Sequence, residues 1–279
     1  MDCQQLTTCE SRVYLNVDML EPEVFELAGG SVAVLSARKP DKTSANQDAA
    51  AVVAAGDNSA VLIVADGCGG MAGGEQAARI AIDSLTNHIA AAAAAGESLR
   101  TAILDGIEEA NRQIIELKNG AGATLAVVQI ENGEARPYHI GDAQIVMVGG
   151  RGKVKLLTTS HSPVGYAMEA GMLEEQEALD HEERHLVSNY LGSEAMHVEV
   201  GSVRSVSTRD GLLVASDGVL DNLLMEEITS LLKSGAAAAA ASKIAGVAMQ
   251  RMQTALEGQP HKPDDLTLIV FSQRGKRAK

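Results

Sequence analysis

Apolar positions along this chain fall into two patterns. Short runs at 32–35, 60–65, 124–130, 135–140, 145–148, Gly211–Ala215 and 266–271 are rich in Val, Ile, Leu and Ala. Several of them end in Asp-Gly or Gly-Asp. Runs of this length, closed by turn residues, predict strands. Longer stretches at Gly74–Ala95, 98–117, Met225–Leu232 and 236–256 predict helices. Within 98–117, Leu99, Ala102, Ile103, Gly106, Ile107, Ala110, Ile114 and Leu117 recur on one helical face, a stripe that packs against a sheet.

The predicted order is strand, strand, two helices, a run of strands, an irregular insert, a strand, two helices and a final strand. That order lacks the regular alternation of a doubly wound sheet. Paired helices between blocks of strands predict an α+β fold in which helices cover antiparallel sheets. Neither an internal repeat nor a linker divides the chain, so residues 1–279 are expected to form one domain, with its core at about 31–271. The charged region 163–200 reads as a surface insert with a helix at about 167–179.

Composition narrows the picture. Of the 279 residues 46% are hydrophobic but only 2% aromatic, and there is no Trp, so the core must be built from aliphatic side chains. The net charge of −14 excludes nucleic acid and anionic membranes as partners on simple electrostatic grounds. The basic tail from Arg274 to Lys279 reads as a solvated end. Cys3, Cys9 and Cys68 fit no zinc spacing and read as reduced thiols. Asp2 and Glu10 interrupt any basic-then-apolar leader, and no apolar run nears the roughly 20 residues of a membrane span. A cytoplasmic monomer is expected.

The strongest local signal is AVLIVADGCGGMAGGEQAA at 60–78. A buried strand delivers Asp66 to its end, and Gly67, Gly69, Gly70, Gly73 and Gly74 follow before a helix. So many glycines weaken a chain, and close approach of a ligand to the backbone would justify them. Four further sites put a carboxylate at a strand end: Asp48 in SANQDAAAV, Asp142 in YHIGDAQIVMV, Asp217 in LLVASDGVLDNL, and Asp264 with Asp265 in PDDLTLIVF. Any one alone is an ordinary turn residue. Together, if the strand ends converge, they crowd negative charge and require cations. An oxygen-only donor set favours Mg²⁺ or Mn²⁺ over Zn²⁺.

Two other motifs compete. Residues 67–72 satisfy the dinucleotide pattern G-x-G-x-x-A, but Asp66 directly before them would repel a pyrophosphate. His181 and His185 satisfy H-E-x-x-H, but their flanks are charged where a zinc protease needs a largely buried helix.

In order, the motifs NQD (46–48), ADGCGGMAGGEQAA (65–78), GAT (122–124), IGD (140–142), HS (161–162), ASDGVLD (215–221) and DDLT (264–267) resemble the PPM/PP2C family of metal-dependent protein phosphatases, bacterial type. The resemblance implies a central antiparallel β-sandwich flanked by pairs of helices, a four-layer αββα fold. It implies two Mg²⁺ or Mn²⁺ ions, with Asp66 and the Gly67 carbonyl as metal ligands and Asp217 and Asp264 holding the second ion. Asp48 would anchor metal-bound water, and Asp142 with Asp217 would form a third-metal site. Asp66 and Asp217 become the catalytic pair. Two ions can activate a water that attacks phosphorus directly, so neither Ser nor Cys is required as nucleophile. The substrate implied is a protein phosphorylated on serine or threonine by a kinase. The segment 170–192 is similar to the family's flap beside the active site, which disposes of the apparent zinc motif.

Departures matter. The arginine that clamps phosphate in this family is replaced by Thr43, with Lys39 and Lys42 nearby. Lys42 is the candidate to replace it in part, although an ammonium lacks the bidentate fork of a guanidinium; the alternative is that Lys42 is a solvated loop lysine. Gly141-Asp142-Ala143-Gln144 and Ser160-His161-Ser162 also differ from the usual pattern. The competing expectation is a catalytically weak relative that binds phosphopeptides or regulates a partner.

Overall fold

The computed structural model describes residues 4–5, 10–68, 73–179, 181–233 and 236–273. Gly69, Gly70, most of the apparent dinucleotide motif, Cys3, Cys9 and the basic tail lie outside these residues.

Two sheets stack face to face. The first runs in the order β1 (Gln4–Gln5), β3 (Glu23–Leu27), β4 (Gly30–Ala37), β14 (Leu266–Gln273), β13 (Gly211–Ala215), β9 (Gln144–Val148) and β10 (Val154–Leu157). The second runs β11 (Glu199–Val200), β8 (Glu134–Ile140), β7 (Ala123–Glu131), β6 (Ser59–Gly67), β5 (Asp48–Gly56) and β2 (Ser11–Leu15), with β12 (Arg204–Ser205) also pairing β8. All pairings are antiparallel except that of β1 with β3. The expected sandwich is therefore present, and residues 11–27 extend it at the N-terminal side through β2 and β3.

Three apolar clusters fill the gaps between four layers. Val34, Val52, Leu62, Val128, Ile145, Val214 and Ile269 meet between the sheets. Ile63, Val127 and Val61 face α1 (Gly74–Ala95) and α2 (Leu99–Glu116) on one side. Leu213, Leu268 and Val270 face α6 (Met225–Leu232) and α7 (Ala237–Gln253) on the other. Central strands are thus apolar on both faces, which explains why they read as continuous apolar runs.

The stripe foreseen on α2 is buried, apart from Leu117, which caps the helix. Its Gly106 lets the two helices approach closely: a Cβ there would lie 3.1 Å from the Leu85 backbone. Ser84 Oγ donates to the Gly106 carbonyl at 2.9 Å across the same contact. Ser98 caps α2 by accepting from the Thr101 amide, and α1 ends at Gly96 in the left-handed region.

The insert differs from expectation. The single helix at 167–179 is two short ones, α3 (Pro163–Glu169) and α4 (Glu175–Ala178), separated where Gly171 takes φ +66°. A short α5 (Asp217–Leu220) follows β13 directly. Among the described residues no helix is long and apolar enough to cross a membrane.

Two glycines test this packing in opposite directions. A Cβ on Gly218 would lie 1.9 Å from the Asp265 carbonyl oxygen, so Gly218→Ala should lower stability by about 1–3 kcal/mol. Gly246 in α7 is exposed with nothing within 4 Å of its Cβ position, so Gly246→Ala should raise stability by about 0.5–1 kcal/mol. Denaturant titration of both variants measures the two signs.

Candidate metal centre

Antiparallel pairing brings the start of β5 beside the end of β6 at one edge of the second sheet. Asp48 and Asp66 are direct cross-strand partners there, with Thr124 of β7 opposite Asp66 on the other side. Asp142 follows the end of β8, the next strand over. The stacked sheet supplies Asp217 after β13 and Asp264 before β14. The five sequence-selected aspartates therefore converge: Asp48 faces Asp66, Ser216 beside Asp217 bonds Asp48, the Lys262 ammonium lies by both Asp217 and Asp264, and Asp142 lines one cavity with Asp217.

Fixed hydrogen bonds tie the two sheets together at this edge. Ser216 Oγ donates to Asp48 Oδ2 at 2.7 Å and accepts from the Thr267 amide at 3.0 Å. Asn46 Oδ1 accepts from the Asp48 amide, while its Nδ2 donates to Ser36 Oγ and the Val17 carbonyl. Gly67 packs so tightly that a Cβ would meet the Gly74 carbonyl oxygen at 2.3 Å, which explains that glycine. Gly141 takes φ +92°, and a Cβ would clash with Thr124 at 2.5 Å. His161 holds Gly141 from both sides: its Nδ1 accepts from the Gly141 amide, and its own amide donates to the Gly141 carbonyl.

Crowding raises the carboxyl pKa values. Burial, then Asp265, Asp217 and Asp264, push Asp48 up to about 8 against the hydrogen bond from Ser216. Burial, then Asp48, Asp217, Asp142 and Asp264, hold Asp66 well above the carboxylate range. Burial and Asp217 bring Asp142 to about 7 and Asp264 to about 6, with Lys262 opposing both. Oδ1 of Asp142 and Oγ1 of Thr124 are buried without a hydrogen-bond partner among the described residues. Oxygen donors, uncompensated charge and an orphaned carboxylate oxygen together fit hard divalent cations.

Lys42 is placed otherwise than expected. Its ammonium pairs with Asp265, and the two side chains are 9% and 3% exposed. Asp265 also accepts from the Lys39 and Gln47 amides, so it organises the loop leading into Asp48. Lys42 is consequently neither solvated nor free to meet a phosphate, while Thr43 is exposed.

The H-E-x-x-H motif is not on a buried helix. Residues Glu182–His185 form one 3₁₀ turn, and His181 and His185 are exposed. Its Arg184 instead reaches the acidic edge, donating to the Asp221 and Leu179 carbonyls at 2.6 and 2.8 Å. This insert roofs a cavity of about 400 Å³ floored by Asp142, Asp217 and Asp221 and walled by Val164, Met168 and Leu179.

A histidine cluster also emerges. His139, His161 and Glu199 form the one trio among the described residues whose potential ligand atoms lie within 4.8 Å of one another. The hydrogen bonds argue against an ion there. His139 Nε2 donates to the Thr159 carbonyl, and His161 Nδ1 is an acceptor, which leaves the proton on Nε2 facing Glu199. Asp221, Lys262, Ser216 and Arg184 were not singled out as site residues from the sequence. Asp221 stands inside the ASDGVLD motif and Lys262 directly before PDD, but nothing in the linear pattern shows that they meet.

Comparison with known proteins agrees with this geometry. The family model described as protein phosphatase 2C matches residues 38–258. A serine/threonine phosphatase, stp, of Listeria welshimeri is 29% identical over 68% of this chain and 78% of its own length. Among solved structures, the Streptococcus agalactiae serine/threonine phosphatase aligns with a TM-score of 0.71 and 25% identity, covering 86% of this chain and 98% of its own. The PPM Ser-Thr phosphatase MsPP of Mycobacterium smegmatis, solved in complex with cacodylate, aligns with a TM-score of 0.69 and 26% identity over 88% and 98%. With its sandwich, its converging strand-end aspartates and a family match over most of its length, the chain belongs to the protein phosphatase 2C family.

Proposed function

We propose that this serine/threonine phosphatase hydrolyses phosphoserine and phosphothreonine in phosphoproteins with two Mg²⁺ or Mn²⁺ ions held at the strand-end carboxylates. The observation that carries this reading is the convergence of oxygen-only carboxyl groups from both sheets: Asp48 faces Asp66 across a strand pair, Ser216 beside Asp217 bonds Asp48, and Asp142 keeps a buried carboxylate oxygen without a hydrogen-bond partner among the described residues. Asp66 and the Gly67 carbonyl would hold one ion, and Asp217 and Asp264 the other, with Asp142 adjoining. When bound, such ions bring the pKa of a water to near neutrality and offset the charge of phosphoryl oxygens. They also reverse the local field of a chain with net charge −14, which would otherwise repel a phosphate.

The protein's own groups supply the rest. Asp48, held by Ser216, presents a fixed acceptor for the water that attacks phosphorus. Cys68 does not compete as nucleophile, because burial, then Asp142 and Asp217, push its thiol up to about 12. The roofed cavity beside Asp142 and Asp217 gives the phosphorylated segment a partly apolar seat. Lys42 acts here as the counter-ion of Asp265; contact with phosphate would require breaking that pair.

Three outcomes follow from this assignment. Asp66→Asn should lower Mn²⁺-dependent turnover of p-nitrophenyl phosphate by on the order of 100-fold or more, with the circular dichroism spectrum kept. Near-normal turnover at saturating Mn²⁺, or turnover of the unaltered protein that survives EDTA, would remove the metal assignment.

The carboxyl groups of Asp48, Asp142 and Asp264 have folded pKa values of about 8, 7 and 6, above their ordinary value of 3.8. Raised groups favour the folded state while protonated and lose that contribution as pH rises through the folded value. The melting temperature of EDTA-treated protein should therefore fall from about pH 5 to about pH 8, and Mn²⁺ should suppress the fall. A profile that is flat in EDTA contradicts this.

Lys42→Ala leaves Asp265 as an uncompensated buried charge and should cost about 3 kcal/mol in stability. Chemical denaturation reads this directly; a loss confined to KM, with stability kept, would return Lys42 to the substrate.

A further inference from the structure

One cation already sits among the aspartates. Nζ of Lys262 lies 2.5 Å from Asp217 Oδ2, 2.6 Å from Asp221 Oδ2 and 4.0 Å from Asp264 Oδ2. The main chain of Lys262 is clamped as well: its amide donates to Asn222 Oδ1, and its carbonyl accepts from Asn222 Nδ2. Asn222 is fully buried, so this grip is not that of a loose surface loop. Arg184 adds a second contact to Asp221 at 3.4 Å. Burial opposes the charge on Lys262, but Asp217 and Asp221 outweigh it and raise the ammonium's pKa above its ordinary value.

The compensation is lopsided. Lys262 acts on Asp142, Asp221 and Asp264, whereas the charges acting on Asp48 and Asp66 are those of other carboxylates. Among the described residues no Lys or Arg pairs with Asp48 or Asp66, whereas the Asp217–Asp221 pole has a cation built in. An ammonium within hydrogen-bond distance of both carboxylates fills the space that an oxygen-bound divalent ion would need, since such ions bind oxygen at about 2.0–2.6 Å.

We propose that Lys262 is a resident cation of the metal centre: its ammonium stays between Asp217 and Asp221, and divalent ions are taken only on the side of Asp48, Asp66 and Asp264. Asp221 then serves Lys262 rather than an ion, and Asp217 meets metal through its other oxygen. The third ion implied by Asp142 with Asp217 has no place while Lys262 is there. This inference rests on the metal-dependent reading above.

Counting bound Mn²⁺ by calorimetry and by electron paramagnetic resonance tests it. Lys262→Met should take up one ion more per chain than the unaltered protein. Its melting temperature should drop in EDTA and recover with Mn²⁺. Equal, non-zero counts in both proteins would overturn the role of Lys262 and leave the metal reading standing. No bound Mn²⁺ in either would overturn both. Should Lys262→Met not fold with or without Mn²⁺, Asp221→Asn decides: an unchanged count supports the proposal, and loss of an ion overturns it.

Discussion

Mutual repulsion among carboxylates at one edge of the sandwich is the constraint on which the rest of this structure depends. Asp48 and Asp66 face each other across a strand pair, and Asp142, Asp217 and Asp264 add their charge from neighbouring strand ends. Nothing in the local chain favours that arrangement. It persists because each aspartate is carried by a strand whose other residues are buried on both faces. A Leu or Ile removed from water contributes about 1.5–3 kcal/mol, and the three aliphatic clusters contain dozens of such residues.

The sheets have to be held in register at this edge as well as stacked. Ser216 and Asp265 do this with their side chains. The first joins Asp48 of one sheet to Thr267 of the other, and the second gathers Lys39, Lys42 and Gln47 around the start of β14. Glycines at 67, 141 and 218 remove the Cβ atoms that would keep these segments apart. The glycine-rich motifs thus serve close backbone packing at the residues that present oxygen ligands.

Much of this was legible in the chain because it rests on period and punctuation. Strands β6, β7, β8, β13 and β14 and helices α1, α2 and α6 lie close to where apolar spacing puts them, since fully buried strands leave an unbroken aliphatic run. Strands β2, β3, β5 and β10 were not foreseen: the mixed burial of β2, β3 and β10 gives no such run, and β5, though buried, is built mostly of alanine, which reads as readily as helix. The helix expected at 167–179 failed at Gly171, where a positive φ interrupts what composition alone would continue. At the site, the aspartates were recognisable because each stands at one end of an apolar run. The pairing of Lys42 was not, because its partner Asp265 is 223 residues away in sequence. Lys262 escaped notice for the same reason: a lysine in a polar loop shows its meaning only when Asp217 and Asp221 are seen beside it.

The position of β14 carries a consequence for how the molecule is made. This strand follows every other strand in the chain, yet it lies inside its sheet, between β4 and β13. Until it is synthesised, β4 and β13 have no neighbour to join them, and Asp264 and Asp265 are missing from the acidic edge. The second sheet, with α1 and α2, is complete but for short edge strands well before that point. Folding during translation should therefore proceed in two stages, with the α1–α2 half acting as a template on which the other half closes. The electrostatic cost of the centre is met only in the final closure, after most of the apolar surface that offsets it has already been buried.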